Sequence, residues 1–505
     1  MTAPPIIWSI AGLDSGGGAG LSADQRAADA MGVHLCPVAA ALTAQNSVAV
    51  DAVFPVPPEQ LDAQLAALAD DLPPVAIKTG LLGGVAQLRA VTRWVDRLRT
   101  QRPVALVVDP VLRASTGAGF ADEALMRAYR EELLPRASVA TPNRREATRL
   151  VGDGAVAWQA QALGAASACI TGGDEAGPLA LDWLSTPQAQ GWLALPRRDA
   201  GNGHGTGCCF ATGLAAALAR GFVPADAAVL AKMLTTSGLH SATPPGAGAG
   251  PVQPRADFIH DPSLLPALFE AEPGAWPTPG ACSMRGLYGI TDDGRHAAEL
   301  MAQGVPTVQL RLKRSAADTD WPARLHAELQ PALAAARATG ATLVLNDHWR
   351  EALAAGVGFV HLGQEDLLAL SPADRKALAD ARAGGLRLGL SSHSLWELAR
   401  AVAWAPDYIA CGPVWPTTTK AMPWCPQGLG NLAWWATMSP APVVGIGGVL
   451  EPEQLAAVAA SGASAGCVVR GLHTTPPARW LQAWQQGLAQ PRVRPGWPTP
   501  SLPPG

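Results

Sequence analysis

The second half of the chain carries a regular alternation that few folds can accommodate. Short apolar runs recur there, and Ala- and Leu-rich segments that favour helix lie between nearly all of them. Eight such β/α units predict a (β/α)8 TIM barrel, whose active site forms at the carboxyl ends of its strands. The eight predicted strands span residues 287–291, 307–313, 342–347, 359–363, 387–392, 408–414, 443–448 and 466–470.

Polar side chains cluster at the ends of these predicted strands. Because all eight ends meet at one mouth, residues distant in sequence converge there. Asp347 and Asp366 supply carboxylates, and Arg311, Lys313 and Lys420 supply positive charge. Together they suit a magnesium–diphosphate complex. Taken alone, each Asp is as readily explained as a helix N-cap.

A glycine-rich loop at residues 201–208 leads at once into an Ala- and Leu-rich, helix-forming segment. Backbone N–H groups and the positive end of the helix dipole then point at one place, which suits an anion such as a transferring phosphoryl group. A flexible loop before a core helix is the alternative. Cys208 favours the anion site, because a thiol at a helix N-terminus has a lowered pKa and can act as a base.

Other strand-like runs of the first half also end in polar or glycine residues. The first of them is followed by a glycine loop and a helix pattern, which is the opening of a nucleotide-binding α/β unit. A Rossmann fingerprint fits poorly, since no acidic residue ends a second strand about 20 residues on. No P-loop sequence occurs. Polar groups at successive strand ends lie where open α/β sheets bind ligands.

Length and composition limit the remaining possibilities. A chain of 505 residues is too long for one core, so two or three domains are expected. Apolar residues make up 48% and charged residues 15%, as in α/β enzymes, and the net charge of −4 gives no footprint for nucleic acid or a membrane surface. The eight cysteines form no CxxC pair, and no apolar stretch reaches about 18 residues. We therefore expect a cytoplasmic protein with reduced thiols.

Five motifs of the first half resemble, in order, the hydroxymethylpyrimidine/phosphomethylpyrimidine kinases, which have a ribokinase-like α/β sandwich fold. The motifs are residues 11–20 with Asp24, residues 41–46, residues 109–111, residues 141–143 with Glu146, and residues 205–208. The resemblance implies binding of an aminopyrimidine and of ATP with Mg2+. The implied residues are Asp24, Gln45 and Leu81 for the aminopyrimidine, Gly205, Gly207 and Cys208 for the anion hole and base, and Asp109, Asn143 and Glu146 for magnesium and the ATP phosphates.

Two of these residues have simpler explanations when taken singly, and two positions depart from the family pattern. Asp24 is alternatively a solvated helix residue, and Asp109 is alternatively part of a turn that ends a strand. Leu81 stands where the family usually has Met, a mild change. Thr171 stands where the family usually has a phosphate-facing Lys, and Lys78 or Arg113 is a candidate to replace that charge.

The second half resembles thiamine-phosphate synthase in seven segments, in family order. They are residues 288–292, 308–313, 346–347, 361–366, 391–393, 412–420 and 446–448. The resemblance implies that Asp347 and Asp366 carry Mg2+ and that Lys420 contacts the departing pyrophosphate. The implied ligands are Gln309, Arg311, Lys313, Asn346, Ser391 and Lys420 for the pyrimidine diphosphate, and Thr417, Thr418, Thr419, Gly447, Val469 and Arg470 for the thiazole phosphate. Arg311 and Lys420 are also the implied catalytic groups, and Arg470 replaces a usual Ser.

These interpretations predict a bifunctional enzyme of thiamine biosynthesis. Residues 1–265 are expected to form the kinase domain, 266–284 a linker, 285–490 the synthase barrel, and 491–505 a Pro-rich disordered tail. The resemblance to such kinases also implies a homo-oligomer acting on small molecules. Two alternatives remain open: a kinase-like half that only binds pyrimidine and regulates, suggested by Thr171, and a related vitamin kinase acting on pyridoxal or another ring alcohol.

Overall fold

The computed structural model describes residues 3–112, 121–173, 175–198, 201–278, 280, 284–314, 320–417 and 423–503. The chain divides into two compact units between Trp276 and Pro277. No helix among the described residues is long and apolar enough to cross a membrane.

The first unit is built on a ten-stranded sheet with strand order β10-β9-β8-β7-β6-β5-β4-β1-β2-β3. The strands from β7 to β2 run parallel, and the outer strands pair antiparallel. The strands are β1 Ile6–Asp14, β2 His34–Gln45, β3 Val50–Pro55, β4 Ala76–Thr79, β5 Ala105–Val108, β6 Val139–Ala140, β7 Ala168–Thr171, β8 Leu179–Ser185, β9 Gln190–Pro196 and β10 Ala267–Phe269. The helices are α1 Gly20–Met31, α2 Pro58–Asp71, α3 Val85–Arg99, α4 Glu123–Ala128, α5 Arg144–Val151, α6 Val156–Ala162, α7 Thr206–Ala219 and α8 Pro224–His240.

Helices cover both faces of this sheet, and the alternation along each strand decides what each face receives. Trp8 and Ile10 of β1 pack into the apolar core shared with α2 and α3. Ser9, between them, faces the opposite side, where it meets α1. On β4, Ile77 joins the same core while Lys78 points to the α1 side. Ser9 of β1 and Lys78 of β4 are therefore both directed towards Asp24 of α1.

The second unit is a closed barrel of eight parallel strands, in sequence order from β11 to β18. The strands are β11 Gly286–Thr291, β12 Thr307–Leu310, β13 Thr342–Asn346, β14 Phe359–Leu362, β15 Arg387–Ser392, β16 Tyr408–Cys411, β17 Val443–Gly445 and β18 Ala465–Val468. The helices are α9 Gly294–Ala302, α10 Trp321–Thr339, α11 Trp349–Ala355, α12 Gln364–Ala369, α13 Pro372–Ala383, α14 Leu395–Ala403, α15 Gly428–Met438, α16 Pro452–Ala460 and α17 Pro477–Leu488. The predicted fold class, an α/β sandwich followed by a TIM barrel, is confirmed.

Two of the predicted boundary segments differ in the structure. The segment expected to be a linker from residue 266 begins with β10, which pairs with β9 and so belongs to the first unit. The tail from residue 491 is placed along the barrel as far as residue 503, because its backbone finds partners there. Val493 N–H donates to the Ala460 carbonyl over 3.0 Å, and the Ser501 carbonyl accepts from Cys425 N–H over 2.8 Å. Proline-rich composition alone therefore did not indicate the path of this segment.

Candidate functional sites

The first unit has a cavity of about 390 Å³ at the carboxyl ends of its parallel strands. Residues from the ends of β1, β2 and β7, residues just after β4, β5 and β6, and the loop before α7 line it. It is the crevice expected for a ligand in an open α/β sheet. All but one of the residues predicted for this site contribute to the lining, namely Gln45, Leu81, Asp109, Asn143, Glu146, Gly205, Gly207 and Cys208.

Asp24 is the exception, because it lies beneath the cavity wall in a buried network. Both of its carboxylate oxygens accept from Lys78 Nζ over 2.9 Å, and neither side chain is exposed. The hydroxyls of Ser9 and Thr212 donate to it over 2.6 Å and 2.7 Å. The solvated-face interpretation of Asp24 is therefore wrong, and direct contact with the pyrimidine does not fit this position. Lys78 lines the cavity itself, with its Nζ paired to Asp24. Arg113 lies outside the described residues.

The loop before α7 has the form expected of an anion site. Gly205 has a φ of 85°, and a Cβ there would lie 2.4 Å from the Gly18 carbonyl oxygen, so only glycine fits. The helix then begins at Thr206, and its first three residues line the cavity. A helix start of this kind suits an anion.

The thiol of Cys208 does not have the lowered pKa that its place at a helix N-terminus predicts. Burial raises its pKa to about 12, and the carboxylates of Asp24 and Asp109 add to the rise, although Lys78 opposes it. The electrostatic effect of one helix end is smaller than the combined effect of desolvation and two nearby negative charges. The thiol is therefore protonated near neutral pH.

Asp109 is a carboxyl group of this cavity whose pKa is shifted towards neutrality. Burial raises its pKa to about 6, with Lys78 lowering it and Asp24 raising it. A Cβ built on Gly207 would lie 4.0 Å from Asp109 Oδ2, so the carboxylate faces the anion loop. Its backbone also forms the predicted turn, with Val111 N–H donating to the Asp109 carbonyl over 2.9 Å.

Asn143 and Glu146 form a complete capping box at the start of α5. Asn143 Oδ1 accepts from Glu146 N–H over 2.9 Å, and Glu146 Oε2 accepts from Asn143 N–H over 3.0 Å. Both residues also line the cavity beside Thr171, the position without the usual lysine. Arg145 and Arg149, exposed on α5, line it as well and bring positive charge to this end.

His204 is a cavity residue to which sequence reasoning gave no role. Its Nε2 lies 3.2 Å from Asp14 Oδ2 and 3.3 Å from Gln45 Nε2. Asp14 also accepts from the N–H groups of Gly16 and Gly18. Burial opposes ionisation of Asp14, but the bonds from His204 and the backbone outweigh it and lower the pKa. Its position inside the glycine-rich loop of residues 201–208 is the sequence signal that could have identified His204 as a site residue.

The second unit has a cavity of about 590 Å³ at the mouth of the barrel. It gathers residues from all eight strands or from the loops that follow them, as the convergence argument predicts. Thr418, Thr419 and Lys420, predicted for this site, lie outside the described residues. Every other predicted residue lines the cavity, namely Gln309, Arg311, Lys313, Asn346, Asp347, Asp366, Ser391, Thr417, Gly447, Val469 and Arg470.

Two carboxylates meet at the mouth of the barrel. Burial raises the pKa of Asp366, and the neighbouring Asp347 raises it further. Lys313 Nζ lies 2.7 Å from Asp347 Oδ2. Asp366 also accepts from Gly363 N–H over 2.8 Å at the start of α12, so its capping role is real but occupies only one of its oxygens. Asp347 has a φ of 66°, a left-handed conformation uncommon for a residue other than glycine.

The loop after β17 approaches the loop after β16 closely. Gly447 and Gly448 have φ values of 93° and 75°. A Cβ at Gly448 would lie 2.6 Å from the Trp415 Cβ, so a side chain there would displace that loop. The glycines therefore leave backbone groups at the cavity surface, as in barrel phosphate sites.

Three buried side chains of this cavity that hydrogen-bond to one another in series were not predicted as site residues, namely Tyr288, Tyr408 and His361. Burial raises the pKa of both tyrosine hydroxyls and lowers the pKa of His361 to about 4. Tyr288 and His361 stand in the segments 288–292 and 361–366 of the resemblance without a role. Tyr408 falls inside an apolar strand and looks like an ordinary core residue.

Comparisons with known proteins agree with this division into two sites. The family model described as phosphomethylpyrimidine kinase matches residues 14–253, and the one described as thiamine monophosphate synthase matches residues 287–472. A probable thiamine biosynthetic bifunctional enzyme of Oryza sativa is 30% identical over 469 residues, 88% of this chain and 81% of that protein. The chain belongs to the thiamine biosynthetic bifunctional enzymes.

Relatives of each half of this bifunctional family match separately. A thiamine-phosphate synthase of Rhizobium etli is 44% identical over 203 residues, 39% of this chain and 94% of that protein. A hydroxymethylpyrimidine/phosphomethylpyrimidine kinase of Streptomyces coelicolor is 37% identical over 257 residues, 49% of this chain and 94% of that protein. The chain is thus a transferase with a kinase domain and a thiamine-phosphate synthase domain, and each cavity lies within one of them.

Proposed function

We propose that the first domain phosphorylates 4-amino-5-hydroxymethyl-2-methylpyrimidine and then its phosphate, with ATP as donor. The second domain joins the resulting diphosphate to hydroxyethylthiazole phosphate and releases pyrophosphate. The observation that carries this proposal is the gathering of the predicted ligands into two cavities, one in each matched domain. The product of the first site is then the substrate of the second.

In the kinase cavity, we assign the anion site to the backbone of Gly205 and Gly207 and the proton acceptor to Asp109. A phosphoryl group in transfer gains negative charge, which backbone N–H groups at a helix start stabilise. Asp109 is mostly ionised near neutral pH, whereas the Cys208 thiol, whose pKa is about 12, is not. Gln45 and Leu81 line the aminopyrimidine pocket, and Cys208 is the cavity-lining thiol beside Asp109. Asp24 acts at one remove, by holding Lys78, which itself lines the cavity.

The ATP end of this cavity is assigned to the start of α5. Asn143 and Glu146 are oxygen-bearing residues of the kind that bind Mg2+, directly or through water, and both reach the cavity while capping the helix. Magnesium, when bound, neutralises phosphate charge. Arg145 and Arg149 supply the cationic character missing at Thr171. This replacement favours an active kinase over a purely pyrimidine-binding module.

In the synthase cavity, the assignments follow the charges that face it. Asp347 and Asp366 fit Mg2+, because two facing carboxylates are stabilised by a divalent cation and destabilise each other without one. Among the described residues no three acidic, His or Cys side chains form a cluster, so diphosphate oxygens and water would complete the coordination. Arg311 and Lys313 face the diphosphate, and the pyrimidine-ring ligands are Gln309, Asn346 and Ser391. The thiazole phosphate site takes Thr417, Gly447, Val469 and Arg470.

The experiment that tests this function supplies the full chain with hydroxymethylpyrimidine, thiazole phosphate and MgATP, and follows thiamine phosphate by mass. Formation of product supports both domains together. Product formed only when the pyrimidine diphosphate is supplied would favour the pyrimidine-binding, regulatory first domain suggested by Thr171. Pyridoxal added as a competitor tests the related vitamin-kinase alternative, which predicts phosphorylation of pyridoxal in preference to the pyrimidine.

Replacement of Asp366 by asparagine is expected to weaken Mg2+ binding at the synthase site selectively. The amide keeps an acceptor for Gly363 N–H, so the start of α12 is preserved while one ligand charge is lost. The Mg2+ concentration for half-maximal synthase rate is expected to rise at least about tenfold. Asp380→Asn, on the exposed α13, is the matched control. Equal Mg2+ dependence of the two variants would contradict the assignment.

The predicted homo-oligomer stays a proposal, supported by an apolar row on the first unit. Leu13 pairs with Leu42, and Leu42 with Phe54, across β1, β2 and the edge strand β3. The three side chains are 42%, 45% and 58% exposed, which suits a face covered by a second copy. Phe54→Asp is expected to halve the mass measured by light scattering, and Leu488→Asp, exposed in the other unit, to leave it unchanged. A monomeric native protein, or an unchanged mass of the Phe54 variant, would exclude this interface.

A further inference from the structure

A continuous chain of hydrogen bonds crosses the barrel along the wall of the synthase cavity. Gln309 Nε2 donates to the Tyr288 hydroxyl over 2.8 Å, and that hydroxyl lies 2.8 Å from the Tyr408 hydroxyl. Tyr408 lies in turn 2.8 Å from His361 Nδ1, and His361 Nε2 lies 2.9 Å from Ser391 Oγ. The first four side chains are buried, and Ser391 is partly exposed in the cavity.

The first donor fixes the direction of every later bond. The amide N–H of Gln309 can only donate, so the Tyr288 hydroxyl oxygen accepts that bond. The Tyr288 O–H then donates a hydrogen bond to the Tyr408 hydroxyl oxygen. Tyr408 then donates to His361 Nδ1. A neutral imidazole that accepts at Nδ1 carries its proton on Nε2, and therefore donates to Ser391 Oγ. The serine proton is left to point away from the histidine, towards the cavity.

The opposite direction leaves one proton without a partner in this chain. If His361 Nδ1 donated to Tyr408 and Tyr408 to Tyr288, the Tyr288 hydroxyl proton would face the donating amide of Gln309. Burying an unpaired hydroxyl proton costs about 1–3 kcal/mol, so the first direction is favoured. Each ring nitrogen of His361 already faces a hydroxyl, which agrees with a neutral ring.

We propose that this chain fixes Ser391 as a hydrogen-bond donor, so that the synthase site recognises an acceptor nitrogen of the pyrimidine ring rather than its amino group. Tyr288, Tyr408 and His361 are then positioning residues that act through Ser391. This inference rests on the proposed function, since it specifies how the same site reads its substrate. It also gives the two tyrosines a role that their burial among apolar strand residues conceals.

Packing around the tyrosines allows the hydroxyls to be removed without removing the rings. Tyr408 packs edge-on against Tyr288 and Phe359, with ring centroids 5.8 Å and 5.5 Å apart. A Cβ at Gly389 would lie 2.1 Å from the Tyr408 ring, so the ring occupies the space that a side chain at Gly389 would need. Phenylalanine at position 408 keeps these contacts and interrupts only the hydrogen bonds.

The test is a double-mutant cycle on the full chain, with the pyrimidine diphosphate supplied directly. Tyr408→Phe and Ser391→Ala are each expected to raise KM for the diphosphate about 2- to 10-fold, the effect of one hydrogen bond. Because Tyr408 acts through Ser391, the double variant is expected to match Ser391→Ala alone. Tyr129→Phe, the same change at a buried tyrosine of the other domain, is the control and should leave this KM unchanged.

A substrate analogue with carbon in place of the accepting ring nitrogen separates recognition from general packing. The native protein is expected to discriminate against it, and Ser391→Ala and Tyr408→Phe to discriminate about equally less. The proposal would be overturned if the KM increases of Tyr408→Phe and Ser391→Ala multiplied in the double variant. It would also be overturned if Tyr408→Phe discriminated against the analogue as strongly as the native protein does. If Tyr408→Phe does not fold, Tyr288→Phe interrupts the same chain one bond earlier. Failure of the native chain to make thiamine phosphate would instead refute the proposed function.

Discussion

Asp24→Ala is expected to lower the free energy of unfolding of the first unit by about 3–5 kcal/mol, the range for breaking a buried ion pair. The substitution leaves Lys78 charged and without its partner, where no part of either side chain is exposed. It also removes the acceptor of the Ser9 and Thr212 hydroxyls. Calorimetry of the full chain measures this loss as a lower midpoint temperature for the unfolding transition of the first unit.

Asp96→Ala is the matched control for this prediction. Asp96 pairs with Arg136 at the surface, with side chains 51% and 35% exposed, and such pairs contribute about 0.2–1 kcal/mol. The double variant Asp24→Leu with Lys78→Met is expected to recover part of the stability, because it removes both charges together. Equal losses for Asp24→Ala and Asp96→Ala would show that the buried pair does not hold the cavity wall.

Asp109→Asn is expected to lower the kinase rate about 10²- to 10⁴-fold, the usual contribution of a general base. Protonation removes the acceptor, so the native kinase rate should be present above pH 6 and fall as the pH drops through about 6. The asparagine variant should lose this acid limb. The measurement is the pH dependence of kcat/KM for hydroxymethylpyrimidine, at saturating MgATP.

Cys208→Ala distinguishes the two candidate bases of the cavity. With a pKa of about 12, the thiol has little capacity to take up a proton near neutrality, so its removal should cost less than that of the Asp109 carboxylate. Synthase activity on supplied diphosphate should stay unchanged in both variants, because these residues lie in the first unit. A larger loss in Cys208→Ala, with the acid limb still present in Asp109→Asn, would return the role of base to the thiol.

The barrel was predictable from sequence because its information is local. Each strand is a short apolar run that ends in polar residues, and the predicted span 387–392 coincides with β15 Arg387–Ser392. Predicted strands that ran past their ends, such as 307–313 against β12 Thr307–Leu310, extended into the residues that line the cavity. The pattern locates the mouth because strand ends of a closed barrel share one side.

The errors arose where distant parts of the chain meet. Nothing in the spacing around Asp24 shows that a lysine of β4 and a hydroxyl of α7 reach it. The raised pKa of Cys208 likewise depends on burial and on carboxylates far away in sequence, whereas the helix-end rule considers only the neighbouring residues. His361 and its tyrosine partners escaped notice for the same reason, since their hydrogen bonds join five different strands.

The left-handed backbone of Asp347 opposes selection for stability to selection for activity. An L-residue in this conformation costs on the order of 1 kcal/mol, which glycine would recover. Glycine would also delete a carboxylate that faces Asp366 at the mouth of the barrel. A library screened for heat resistance alone should therefore enrich glycine at this position and return stable barrels that no longer make product. With the proposed magnesium role, the aspartate at this position exchanges some backbone stability for metal binding.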